Sequence, residues 1–84
     1  MKITVIGSHI CPDTLFTLNR LAQAGVEIDF KEIRSGHSEL KEYLKLRDGS
    51  DLYRDIRNTE RLGIPCFVKE DGTATLDIEE IIGK

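Results

Sequence analysis

Apolar and polar positions alternate along this chain in ways that mark out its elements one after another. Ile3, Val5 and Ile6 make a short apolar, β-rich run that breaks at Gly7, predicting a first strand. After a loop, Pro12 suits a first helical turn, because its missing N–H would have no partner there in any case. Leu15, Leu18, Leu21 and Ala22 then recur at helical spacing before Gly25, predicting a helix over 12–24 with that face inward. Val26, Ile28 and Phe30 alternate with Glu27, Asp29 and Lys31, the pattern of a half-buried strand. A second helix is predicted with Ser38 as its cap, Leu40, Tyr43 and Leu44 on one face, and an end near Gly49. Ser50 is placed to cap a shorter piece with Leu52, Tyr53 and Ile56 inward. Residues 65–70 read as a strand, Asp71-Gly72 as a hairpin turn, and 73–76 as its return. Asp77 then caps a terminal turn bearing Ile78, Ile81 and Ile82.

This order, β-α-β-α-(α)-β-β-α, limits the topology. A strand–helix–strand opening calls for a parallel pair joined by a right-handed crossover, and the closing hairpin adds an antiparallel pair. The expected result is an α/β domain with one mixed four-stranded sheet flanked by helices. No linker divides the 84 residues, so a single domain over 1–84 is expected. Composition is ordinary for a globular chain, with 39% hydrophobic and 32% charged residues. The net charge of −3 is dispersed, with no basic run to bind nucleic acid or an anionic bilayer. No apolar stretch is long enough for a membrane span, and residues 1–6 lack the apolar core of a signal peptide. A cytoplasmic location is the expectation.

Two cysteines occur, Cys11 and Cys66, too few for a disulfide-stapled secreted scaffold. A metal site is not expected, because clustered ligands are missing and His9 and His37 stand off ligand spacing from the cysteines. Cys11 falls at the mouth of the first helix. Unpaired backbone N–H groups and the positive end of the helix dipole gather there, and both favour thiolate over thiol. Asp13, a carboxylate in the same turn, opposes that effect.

Cys11-Pro12-Asp13-Thr14 at a strand–helix junction, Gly63-Ile64-Pro65 opening a later strand, and Asp71-Gly72 after it together resemble a glutaredoxin. The likeness is greatest to short bacterial glutaredoxin-related proteins with a Cys-Pro-Asp-Cys motif, and it runs from Met1 to about Ile82. It implies a thioredoxin-like fold with Cys11 as nucleophile. It also implies a cis Ile64–Pro65 bond that shapes a groove beside Cys11, with Pro12, Ile64 and Pro65 meeting an extended thiol substrate. Thr14 stands where a dithiol glutaredoxin has its resolving cysteine. Ser8 stands where many carry a lysine for a glutathione carboxylate, and Thr75-Leu76 where they carry Gly-Gly.

The reading that follows is a monothiol thiol-disulfide oxidoreductase. Cys11 would form a mixed disulfide with a small-molecule or protein substrate, with glutathione as co-substrate and no tightly bound cofactor. Thr14 either donates a hydrogen bond to the thiolate from one helical turn away or fills a small polar slot. Cys66 either resolves the mixed disulfide or is a small buried hydrophobe. His9 is either a solvated loop residue or a holder of the thiolate and proton donor to the leaving thiol. Two other classes stand beside this one. The first is a glutathione-dependent [2Fe–2S] cluster carrier, although Pro12-Asp13 replace the Gly-Phe-Ser that follows the cysteine in such carriers. The second is an interaction module of the same fold whose chemistry is lost.

Overall fold

In a computed structural model that describes residues 1–83, the chain forms one mixed sheet with helices on both faces. The elements are β1 (Lys2–Gly7), α1 (Pro12–Gln23), β2 (Glu27–Glu32), α2 (His37–Gly49), a 3-10 turn (Asp51–Tyr53), β3 (Cys66–Val68), β4 (Ala74–Thr75) and α3 (Glu79–Ile82). The four strands lie in the order β2-β1-β3-β4. β1 runs parallel to β2, and β3 runs antiparallel to both β1 and β4. Alternation along β1 splits the core in two. Ile3 and Val5 pack with Phe67, Leu21 of α1 and Ile81 of α3. Ile6 and Cys66, paired across the strands, point to the opposite face and pack with Tyr43 of α2, Tyr53 and Ile56. Arg20 Nη1 donates to Glu79 Oε2 at 2.9 Å, tying α1 to α3 over the first face. Among the described residues no helix is long and apolar enough to cross a membrane.

Several local expectations are corrected. α1 turns Thr14, Thr17 and Leu21 inward and leaves Leu15 and Ala22 exposed. The close approach of α1 to β1 explains the rotation. A Cβ at Gly7 would lie 2.7 Å from Thr14 Oγ1, so a small hydroxyl residue faces a glycine where a leucine has no room. α2 starts at His37 after Gly36, without a side-chain cap, so Ser38 lies inside the first turn. Of its predicted inward face only Tyr43 is buried, and Leu40 and Leu44 are exposed. β3 and β4 are shorter than 65–70 and 73–76, and at the hairpin end this is because the turn takes residues 69, 70 and 73. Lys69 N–H donates to Thr73 C=O, Gly72 N–H donates to Lys69 C=O, and Asp71 Oδ1 accepts from Thr73 N–H. Ser50 Oγ does accept from Leu52 N–H, and Asp77 Oδ1 accepts from Glu79 N–H, as their positions predict.

Candidate functional site

Cys11 is the N-cap residue of α1, with extended backbone angles (φ −90°, ψ 119°) and Pro12 just inside the helix. No side chain caps this end, so the first N–H groups of α1 stay open around the Cys11 thiol. The thiol is partly exposed. Its backbone is fixed from both sides: Cys11 N–H donates to Ser8 C=O at 2.9 Å, and its own C=O accepts from Leu15 N–H at 3.1 Å. Thr14 is fully buried one turn further on, beneath the loop, where its Oγ1 accepts from Ser8 N–H at 3.4 Å. The Thr14 hydroxyl therefore supports the backbone that leads into Cys11.

The Ile64–Pro65 bond is cis, as the resemblance implies. Ile64 and Pro65 line a groove of about 310 Å³ together with Asp13, Phe16 and Thr17 of α1, whereas Cys11 and Pro12 are not among its lining residues. Phe67 and Leu76 also line it, and Arg61 and Asp77 bring charges of both signs. Apolar side chains stand exposed near this end of the molecule in sequence: Ile10 beside Cys11, Phe16 on the groove wall, and Leu62 before the Gly63-Ile64-Pro65 stretch. Cys66 follows Pro65 directly but has no accessible surface. Its side chain shares the face of Tyr43 and Tyr53, while α1 packs on the other face of the sheet. Burial pushes the Cys66 thiol pKa up, with the Tyr53 hydroxyl partly offsetting it. Sequence adjacency to Pro65 thus does not bring Cys66 into the open groove.

The chain has a relative of almost the same length. It is 32% identical over 74 residues to an uncharacterized protein of Haemophilus influenzae, a match covering 88% of this chain and 86% of the other. The chain belongs to that protein's family. No family model and no solved structure matches it. That match carries no activity over to this chain, so the chemistry of the site is read from its own residues.

Three groups of residues organise the site through hydrogen bonds that the sequence did not signal. Glu32, the last residue of β2, looks like a polar strand end. It receives the backbone N–H of His9 at 2.7 Å, the His9 imidazole Nδ1 and the backbone N–H of Arg34 at 3.0 Å. Burial would raise its pKa, but these bonds and one from Ser8 outweigh burial and hold the carboxyl at about 2. The second group holds the long segment between the 3-10 turn and β3. Tyr43 hydroxyl donates to Leu62 C=O, and Tyr53 hydroxyl donates to Gly63 C=O at 2.7 Å. Burial raises the pKa of both phenols. Arg47 and Arg57 form the third group. Arg47 donates to the carbonyls of Ile56, Thr59 and Arg61, and Arg57 donates to those of Arg47 and Ser50. Among the described residues, no three His, Cys, Asp or Glu side chains gather as metal ligands.

Proposed function

We propose that this protein is a glutaredoxin-like, monothiol thiol-disulfide oxidoreductase with a thioredoxin-like fold, working in the cytoplasm through Cys11. One observation carries the reading: the first turns of α1, the helix whose N-cap is Cys11, line one groove with the Ile64-Pro65 strand entrance. They do so through Asp13, Phe16 and Thr17, with Cys11 itself just outside that lining. In this reading a disulfide reaching the helix-start end of the groove meets the Cys11 sulfur beyond the lining and the Ile64 backbone edge within it. Ile64 N–H and C=O make no hydrogen bond among the described residues, so that edge is free to pair with an extended substrate. The sheet order β2-β1-β3-β4, with α1 and α3 on one face and α2 on the other, supports the fold assignment.

In the reaction, the Cys11 thiolate attacks a substrate disulfide and forms a mixed disulfide, which an external thiol then releases. Glutathione is the proposed co-substrate, through the family resemblance and through Arg61 and Asp77, which offer a cation and an anion to a small zwitterion. Pro12, Ile64 and Pro65 bind the substrate, and Thr14 acts by fixing the loop into Cys11. Cys66 is too enclosed to serve as the resolving thiol. Turnover of a mixed-disulfide substrate, with glutathione supplied, tests this directly. Cys11→Ser should abolish turnover, and Cys66→Ser should leave most of it. Undiminished turnover in Cys11→Ser, or none in the wild type, would refute the reading and favour an interaction module.

A further inference from the structure

The turn that carries Cys11 also carries an imidazole, and the fold holds it. His9 and Ile10 are the central residues of a turn closed by the bond from Cys11 N–H to Ser8 C=O, so His9 and Cys11 stand two residues apart on one short loop. His9 is bound twice to Glu32 Oε1, through its backbone N–H at 2.7 Å and through imidazole Nδ1. The other Glu32 oxygen accepts Arg34 N–H at 3.0 Å, which keeps the carboxylate from turning away. A carboxylate can only accept, so Nδ1 carries the hydrogen of that bond and Nε2 is left as the working nitrogen. Among the described residues Nε2 has no hydrogen-bond partner, and the side chain is 62% exposed. A solvated loop histidine has no need of such an anchor.

We propose that His9 is the proton donor to the departing sulfur in Cys11 exchange, and that Glu32 is the positioning residue that fixes its tautomer and direction. The inference rests on the exchange chemistry proposed for Cys11. The Cys11 thiolate forms a new S–S bond with one substrate sulfur while the substrate's own S–S bond breaks. The electron pair of the broken bond goes to the departing sulfur. His9 acts as the imidazolium: with Nδ1–H on Glu32, it gives its Nε2 proton to that thiolate and is left as the Nδ1–H tautomer that Glu32 favours. It regains a proton from the water that took the one Cys11 released on ionising. One disulfide replaces another, so no oxidant or reductant is consumed. The arrangement follows the general logic of a nucleophile served by an imidazole that a carboxylate orients.

The test compares two disulfides by rapid mixing under single-turnover conditions. An alkyl disulfide such as hydroxyethyl disulfide expels a basic thiolate that benefits from a proton. An activated aromatic disulfide expels a nitrothiolate that is stable as the anion. The readout is the ratio of the alkyl rate to the aromatic rate. A change in the thiolate fraction or exposure of Cys11 moves both rates and cancels. His9→Asn keeps a side-chain amide able to donate to Glu32 and removes Nε2. It should lower the ratio by at least about 10-fold, general-acid catalysis commonly supplying about 100-fold or more. Glu32→Gln should lower it by less. An unchanged ratio in His9→Asn overturns the proposal while leaving Cys11 as nucleophile. No Cys11-dependent reaction with either disulfide overturns both.

Discussion

The residue whose environment departs furthest from what its position suggests is Glu32. Its carboxylate gathers donors from two loops, Ser8 and His9 after β1 and Arg34 after β2. The folded protein therefore holds its pKa at about 2 against an ordinary value of 4.5. The sign of the consequence is fixed by linkage: a carboxyl with a depressed folded pKa stabilises the fold when ionised. That contribution is fully present above about 4.5 and drains away as the pH falls toward about 2. Urea titrations from neutral pH into this range should show wild type and Glu32→Gln converging in stability as acid is added. A constant difference between them across that range would mean the loop contacts do not depend on the charge. Cys66 marks the opposite case, a thiol with no accessible surface whose pKa burial has raised.

Among the elements, the irregular segment from residue 54 to residue 65 depends most on its neighbours. It has no strand or long helix of its own, and side chains from α2 and the 3-10 turn satisfy its carbonyls. Gly63 is its tightest point, with φ +72° and an imagined Cβ only 2.4 Å from the Tyr53 ring and 2.9 Å from Ile56 Cδ1. Gly63→Ala should therefore cost at least about 2 kcal/mol, combining the left-handed backbone penalty with a clash in a packed core. The urea midpoint measures it, and an unchanged midpoint would show that the segment tolerates another path. The order of strands and helices was legible in the sequence because period and turn residues are local signals. The support of this segment was not, because Tyr43, Arg47 and Tyr53 reach carbonyls that lie 10 to 19 residues away in most cases. Likewise, Leu15 fits the helical period as well as Thr14 does. Only the nearness of Gly7 decides which of them turns inward.

On the scale of the whole molecule, the sheet gives the two cysteines different settings. One face joins α1 and α3 to Ile3, Val5 and Phe67, and it ends at the groove where α1 begins. The other face encloses Cys66 between Ile6 and the two tyrosines. Cys11 at the helix start was legible because Pro12 and the strand–helix junction announce it. The buried setting of Cys66 was one of two readings that the sequence left open, and the strand register that turns it away from α1 decides between them. The central claim is that Cys11 alone reacts, and that it reacts as a monothiol. Incubation of the folded protein with oxidised glutathione, followed by an acid quench and peptide mapping, tests it most directly, with a urea-unfolded sample as reference. The account predicts a single glutathionyl adduct on the Cys11 peptide, a free Cys66, and no bridge between them, whereas the unfolded chain labels at both. An adduct on Cys66 of the folded protein, an internal Cys11–Cys66 disulfide, or a folded Cys11 that stays unmodified would contradict it.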